Sequence, residues 1–133
     1  MVFVRNLAFF VVLIAVLSFV FVLPVFAESN FQPQNLIGEW WADWNYRNIV
    51  SGKLFLTILS VEGIKVSGKF ELTGAKAPNE EFKDGILEGN TLKITTEYQY
   101  IELVFEGKTL SGFALSDPYK ATRSEIKNGV KVK

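Results

Sequence analysis

The sequence contains neither cysteine nor histidine, and these two absences exclude most nucleophilic and metal-dependent catalysis. Ser-His-Asp and Cys-His machinery both need an imidazole, and the usual zinc sites need imidazole or thiolate ligands. Without cysteine the chain has no disulfide and cannot be lipid-anchored through an N-terminal cysteine. We therefore expect a protein without enzymatic activity, cofactor or bound metal, held together by its core and its backbone hydrogen bonds.

The chain also lacks an excess of charge of either sign, because 14 basic side chains balance 14 acidic ones. Loss of Arg5 with an N-terminal leader leaves one basic side chain fewer, and a net charge of about −1. Such a balance predicts no nucleic-acid partner. The carboxylates are scattered along the sequence, so nothing predicts the facing pair with one raised pKa that a glycosidase needs.

The first 27 residues have the pattern of a secretory signal peptide. Arg5 supplies the positive charge, Leu7 to Leu23 form an almost uninterrupted apolar run, and Val25-Phe26-Ala27 is a small-residue cleavage site. We predict cleavage after Ala27 and export, so that the mature protein is secreted or periplasmic. The alternative is an uncleaved membrane anchor, because the apolar run lies at the lower edge of spanning length.

From Ile37 onward, short runs of β-branched and aromatic residues are separated by glycine-containing turns, and no segment keeps a helical period. This spacing is typical of an all-β sandwich or barrel. The predicted strands are residues 37–46, 53–61, 64–72, 81–88, 91–97, 99–106, 109–116 and 119–126. Eight short strands with mostly tight connections favour an eight-stranded antiparallel up-and-down β-barrel. The predicted organisation is a signal peptide at 1–27, a lead-in at 28–36, the barrel at 37–126 and a flexible tail at 127–133.

Glycine in the turns predicts how neighbouring strands pair. Gly89-Asn90 and Gly107-Lys108 each place glycine first in a two-residue loop, which predicts that Leu87 faces Leu92 and that Phe105 faces Leu110. A three-residue loop at Val61-Glu62-Gly63 avoids a positive φ at the glutamate.

That three-residue loop predicts the pairs Ile58–Val66 and Leu54–Phe70, and strand alternation then sends one apolar face of each strand inward. Small residues among the inward positions leave room opposite large side chains, as a narrow barrel requires. The predicted inward residues are Leu54, Leu56, Ile58, Ile64, Val66, Gly68, Phe70, Leu72, Ile101, Leu103, Phe105, Leu110, Gly112 and Ala114.

All three tryptophans of the chain lie in the first predicted strand, between Gly38 and Tyr46. By alternation Trp40 and Trp44 share the inner face with both of those residues, whereas Trp41 points outward. We predict that Trp40 is a core plug at one end, and that Trp44 and Tyr46 lie toward the opposite end, where a ligand mouth would open.

Gly38-x-Trp40 on the first strand, eight antiparallel strands and Arg123 in the last strand together resemble the lipocalin and avidin-like barrels. The resemblance implies that Trp40 closes one barrel end and that Arg123 packs over it, through a cation–π contact and burial of its aliphatic stem. The hairpins ending in Ala121-Thr122-Arg123 are also similar to a small barrel module of secreted bacterial proteins. Biotin is not the expected ligand, because no tryptophan follows Trp44 and Phe70 stands where the avidin pattern has a tyrosine.

Two non-enzymatic functions fit these patterns. The first is binding of a small apolar or aromatic ligand through Trp44, Tyr46 and Phe70. The second is a filled barrel that docks a protein partner or a second copy of itself through outward apolar side chains. The predicted interface residues are Trp41, Phe55 and Phe113, within a wider outer set that adds Leu59, Val104 and Leu115. An open cavity near Trp44 favours the first function and a filled interior favours the second; a membrane enters only through an uncleaved leader.

Overall fold

A computed structural model describes residues 31–75, 79–116 and 122–133, and these form a closed barrel in which each strand pairs antiparallel with the next and the last pairs with the first. A 3₁₀ helix at Pro33–Leu36 precedes the barrel. The strands are β1 (Gly38–Tyr46), β2 (Val50–Glu62), β3 (Lys65–Leu72), β4 (Asn79–Glu88), β5 (Thr91–Thr95), β6 (Gln99–Glu106), β7 (Thr109–Ser116) and β8 (Thr122–Lys131). The predicted all-β, up-and-down architecture is confirmed. The predicted signal peptide lies outside the described residues.

The two ends of the barrel are built differently. At one end β2, β4 and β6 finish in two-residue hairpins that each follow a glutamate and begin with glycine. The three glycines share nearly the same left-handed backbone, with φ of 63° at Gly63, 60° at Gly89 and 61° at Gly107. At the other end β1, β3, β5 and β7 finish. We call these the hairpin end and the loop end.

The pairing around two of the three hairpins is as predicted, with Leu87 opposite Leu92 and Phe105 opposite Leu110. The prediction for the β2–β3 hairpin is wrong. Glu62 pairs with Lys65 around a two-residue loop, because Gly63 takes the first loop position and Glu62 needs no positive φ.

The corrected hairpin shifts the whole β2–β3 register. Leu54 lies opposite Leu72 instead of Phe70, and Ile58 lies opposite Gly68 instead of Val66. Ile64, which we predicted to point inward, is a loop residue and 62% exposed. An irregularity between Ile58 and Ser60 returns Val61 to the interior, so the apolar face is kept despite the shift.

The last strand is longer than predicted, and most of the predicted flexible tail at 127–133 belongs to it. β8 continues to Lys131, and the Val132 amide beyond it donates to the Glu39 carbonyl oxygen at 2.8 Å. Asn128 has a left-handed backbone with φ of 58°, which asparagine tolerates. At this point the register of β8 shifts against both β1 and β7. Asn128-Gly129 is therefore an irregularity within a strand, not the start of a free end.

The hairpin end is filled by Trp40, as predicted for a core plug. Its side chain is 1% exposed and meets Phe105 edge-on, with ring centroids 4.8 Å apart. Its indole Nε1 donates to the Leu36 carbonyl oxygen at 2.9 Å. Leu36 itself is buried, and Gln34 of the same 3₁₀ helix donates through Nε2 to the Val61 carbonyl oxygen at 3.0 Å. The end of the predicted lead-in thus covers this end of the barrel.

The predicted contact between Arg123 and Trp40 is wrong. The Arg123 guanidinium lies 4.0 Å from the centroid of Phe113 on the outer surface, and its Nε donates to Glu125 at 2.9 Å. The prediction assumed a last strand ending near residue 126. Because β8 continues, Lys131 pairs with Trp40 and places its Nζ 5.9 Å from the indole centroid.

Gly38, predicted as a barrel-closure residue, lies at the hairpin end, where the close approach of Lys133 requires a glycine. Its φ is 135°, and a Cβ added to it would overlap the Lys133 carbonyl oxygen. That oxygen accepts a hydrogen bond from the Glu39 amide at 3.0 Å. The start of β1 and the end of the chain are thereby joined at this end.

Candidate functional site: a cavity at the loop end

A cavity of about 650 Å³ opens at the loop end of the barrel. This volume lies within the range typical of small-molecule sites. Its lining residues are Trp44, Tyr46, Val50, Leu72, Ala75, Tyr98, Gln99, Ala114, Ser116, Thr122 and Ser124. All come from the loop-end halves of β1, β2, β3, β6, β7 and β8 or from the residues beside them. The interior is therefore filled around Trp40 and open beside Trp44.

Trp44 is fixed at the cavity wall by its neighbours on β2 and after β3. Its Nε1 donates to the Thr73 carbonyl oxygen at 3.0 Å, and its ring lies over Gly52, where an added Cβ would come within 2.5 Å of Nε1. Thr73 is held in turn by Lys53, whose amide donates to Thr73 Oγ1 at 2.8 Å. Because its one N–H is already bonded, the indole offers the cavity an apolar ring surface and no donor.

The β1–β2 connection shapes one side of the mouth. Arg47 and Asn48 adopt φ of 49° and 57°, and the Asn48 amide donates to Asn45 Oδ1 at 2.8 Å. The Arg47 guanidinium lies 5.4 Å from the centroid of Tyr46. Val50 is 44% exposed at the rim, and Tyr98 is 42% exposed on the β5–β6 side. The mouth is thus bordered by apolar and aromatic side chains and, next to Tyr46, by the Arg47 guanidinium.

The wall formed by β6, β7 and β8 is polar. Among the described residues, Gln99 and Ser124 are the two buried polar side chains, and both line the cavity. Ser116 Oγ donates to Gln99 Oε1 at 2.6 Å, and the backbone N–H of Gln99 donates to Thr96 Oγ1 at 3.1 Å. Polar groups are costly to bury without partners, so their concentration at one wall marks it as different from the rest of the interior.

The cavity lining contains no Asp, Glu, Lys or Arg among the described residues. Charged clusters lie on the outer surface instead. There Asp43 accepts hydrogen bonds from Lys53 and Asn128, and these hold the pKa of its carboxyl below its ordinary value. The hydrogen bond from Lys93 to Glu88 stabilises the charged form of Lys93 and therefore raises its pKa. These charges connect neighbouring strands and do not face the cavity.

The structure brings two of the three predicted ligand-binding residues to the cavity. Trp44 and Tyr46 line it, as strand alternation predicted. Phe70 does not, because the corrected β2–β3 register places Leu72 there. Phe70 is 2% exposed and packs against Phe82, with ring centroids 6.3 Å apart.

Sequence reasoning missed Gly52 and the polar wall. Gly52 was placed before the second strand, yet a three-residue β1–β2 loop pairs it with Trp44. Gln99 could have been found from alternation, because it lies two residues before the inward Ile101 on β6. The prediction considered only the apolar residues of each strand and therefore overlooked the polar side chain of Gln99 at an inward position.

The predicted interface residues lie in two separate places. Trp41 is 51% exposed and meets Phe55 edge-on, with ring centroids 5.5 Å apart. Phe113 instead packs near Tyr100, at 6.2 Å between centroids, and beneath Arg123. Through β8, Phe113 is level with Asn45, about 13 Å further along β1 than Trp41. The three residues therefore do not form one patch.

Within residues 31–75, 79–116 and 122–133, no helix has the length and apolar character needed to cross a bilayer. The same residues contain no group of three or more acidic side chains arranged to hold a metal ion. Comparison with protein-family models, with curated proteins and with solved structures gives no match.

Proposed function

We propose that the protein is a non-enzymatic, lipocalin-like barrel that binds a small apolar or aromatic ligand in the loop-end cavity. The observation that carries the proposal is a cavity of about 650 Å³ beside Trp44, in a barrel whose opposite end is filled by Trp40. A barrel filled throughout would have favoured a purely structural or docking role.

The apolar part of the lining would supply most of the binding free energy. Trp44, Leu72 and Val50 offer ring and aliphatic surface, and burial of apolar area contributes about 25 cal/mol per Å². At about 0.3 kcal/mol per heavy atom, a ligand of about 20 heavy atoms would bind in the tens of micromolar range. The absence of charged groups from the described lining favours binding without chemical conversion.

Export is part of the same proposal and rests on the pattern of residues 1–27. The mature protein then begins at Glu28 and meets its ligand outside the cytoplasm. N-terminal sequencing of protein recovered from the medium or periplasm tests this. Full-length chain in the membrane fraction would indicate an uncleaved anchor instead.

Fluorescence titration with fatty acids, fused aromatic compounds and heterocycles tests ligand binding, because Trp44 lines the cavity and its emission should change on occupancy. Trp44→Phe should remove most of that change. Trp41→Phe is the matched control, because Trp41 lies on the outer surface of the same strand and its replacement should leave the change intact. Wild-type protein whose emission and melting temperature respond to no compound would contradict the proposal.

A second candidate function is docking of a protein partner or of a second copy through the outer surface. Its support is the exposed Trp41, which contacts the half-buried Phe55 and lies beside Val130, a residue that is 47% exposed and pairs with Trp41. Sedimentation of the wild type against Trp41→Glu tests self-association. A monomer at all concentrations would leave only a different protein as the partner.

A further inference from the structure

The cavity has two walls of different chemistry that face each other. Trp44, Leu72 and Val50 form an apolar wall on β1, β2 and β3. Gln99, Ser116, Thr122 and Ser124 form a polar wall on β6, β7 and β8. The barrel brings these walls together because β1 pairs with β8 and closes the sheet. A molecule between them would meet an aromatic surface on one side and amide and hydroxyl groups on the other.

Gln99 is the most deeply buried member of the polar wall, with 3% of its surface exposed. A glutamine amide offers two donor hydrogens and an acceptor oxygen. Among the described residues, its side chain bonds to Ser116 through Oε1 at 2.6 Å. The amide therefore retains hydrogen-bonding capacity at the cavity surface, on whichever side its oxygen lies. The unused capacity suits a ligand group that both donates and accepts.

Charge on the ligand is disfavoured by the same lining. A buried ion needs an opposite charge or several hydrogen bonds to offset its loss of hydration. The described lining offers amide and hydroxyl groups but no charged side chain. A neutral group such as a lactam loses less hydration and matches an amide in donor and acceptor geometry.

We infer that the ligand is an uncharged planar molecule whose face packs against the Trp44 wall and whose hydrogen-bonding edge meets Gln99 and Ser116. This inference rests on the proposed function and narrows it to one chemical class. The Trp44 ring packs against the face of the ligand, and Gln99 and Ser116 form hydrogen bonds with its polar edge. Neutral bicyclic heteroaromatic compounds with a lactam edge have this shape and chemistry.

Three bicyclic probes of similar outline test the inference. Naphthalene has no polar edge, quinolin-2-one has a neutral lactam edge, and 2-naphthoate has a charged edge. Dissociation constants are measured for the wild type and for Gln99→Met, which keeps the length of the side chain but removes its amide. Gln99→Met should raise the dissociation constant of quinolin-2-one by a factor about ten times larger than the factor for naphthalene. 2-Naphthoate should bind wild type more weakly than quinolin-2-one.

Two further variants keep the test interpretable. Ser116→Ala removes the hydroxyl partner of Gln99 and should also weaken the binding of quinolin-2-one more than that of naphthalene. The inference can therefore be tested even if Gln99→Met does not fold. Leu72→Met on the opposite wall is the matched control and should change naphthalene and quinolin-2-one binding by similar factors. Thermal unfolding of each variant confirms that it is folded.

The outcomes separate the inference from the function on which it rests. Binding of naphthalene and quinolin-2-one with equal losses in Gln99→Met and Ser116→Ala would overturn the inference and leave a nonselective apolar site. Tighter binding of 2-naphthoate than of quinolin-2-one would overturn the requirement for an uncharged ligand. If the wild type bound none of the probes and none of the wider panel, the proposed function itself would fail.

Discussion

Trp40 and Trp44 lie on the same face of the same strand, yet one fills the barrel and the other borders a cavity. Both indoles donate to a backbone carbonyl, Trp40 to Leu36 and Trp44 to Thr73. The difference lies in what faces each ring. Trp40 meets Phe105 and is covered by the 3₁₀ helix, whereas Trp44 lies over Gly52 at an end where the interior stays open. The identity of an inward residue therefore does not decide whether it belongs to the core or to a cavity wall; the side chains opposite it do.

The largest effect in this comparison should come from truncating the filled end. Trp40→Ala removes a fully buried indole and its edge contact with Phe105, and should cost about 3 to 5 kcal/mol of unfolding free energy. Trp44→Ala should cost less, because one side of that ring borders a cavity. Urea unfolding of both variants measures the difference. Equal losses would remove the distinction between the two ends.

A smaller effect should follow from adding a side chain beneath Trp44. Gly52→Val places a Cβ in overlap with the Thr73 carbonyl oxygen and 2.5 Å from the indole nitrogen, and should push both groups from their positions, at a cost of about 1 to 3 kcal/mol. Trp44 emission should shift at the same time. Ser51→Val, on the neighbouring exposed position, is the control and should change neither quantity appreciably. An unchanged Gly52→Val protein would show that Trp44 is not held as described.

The cationic residues of β8 provide a weaker contrast between the same ends. Lys131→Ala removes a contact with Trp40 and a hydrogen bond to the Asn35 carbonyl oxygen, and should cost about 1 kcal/mol. Arg123→Ala removes an exposed ion pair with Glu125 and a contact with Phe113, and should cost about half as much. Chemical denaturation of the two variants compares them. A larger loss for Arg123→Ala would restore the arrangement that the barrel resemblance implied.

The smallest expected effect concerns the seam where β1 meets β2 and β8. Hydrogen bonds from Lys53 and Asn128 lower the pKa of Asp43 from its ordinary 3.8. A lowered folded pKa stabilises the protein above the unfolded pKa, and this contribution is lost as the pH falls through the folded value. Asp43→Asn should therefore be slightly less stable than wild type near about pH 6 and equal to it in strong acid.

The matched variant for this pH dependence is Lys53→Met, which removes the larger of the two causes. Lys53→Met should reduce the pH dependence of stability in the same acid range as Asp43→Asn does. The double variant should show no further reduction. Urea midpoints across the acid range measure this. A difference between wild type and Asp43→Asn that persists unchanged into strong acid would point to packing and not to the carboxylate.

Local signals in the sequence predicted the strands and two of the hairpins. The two hairpins could be predicted because the turn type depends on the glycine at Gly89 or Gly107 and its immediate neighbours, and not on distant residues. The inward positions of Trp40 and Trp44 followed from alternation. The partner of Trp40 on β8 could not be predicted in this way. It depends on the accumulated registers of the whole barrel and on an irregularity at Asn128, so Lys131 was missed and Arg123 was chosen wrongly.

The cavity was only partly predictable for a similar reason. Alternation placed Trp44 and Tyr46 beside a possible mouth, but the space between strands that are distant in sequence depends on closure of the sheet. The predicted β2–β3 register was wrong by two residues at Leu54, which faces Leu72 and not Phe70, so Leu72 lies at the loop end and lines the cavity. Gln99 lay on an inward position that alternation identifies, although its polarity argued against a place in the core.

The most direct test of an open loop end and a filled hairpin end uses the three tryptophans as separate reporters. Labelling with 5-fluorotryptophan gives one ¹⁹F resonance for the filled end, one for the outer surface and one for the cavity, assigned through single Trp→Phe variants. Titration with naphthalene or quinolin-2-one should move the Trp44 resonance saturably and leave those of Trp40 and Trp41 nearly unchanged. A shift confined to Trp41, or movement of Trp40 before Trp44, would contradict the account.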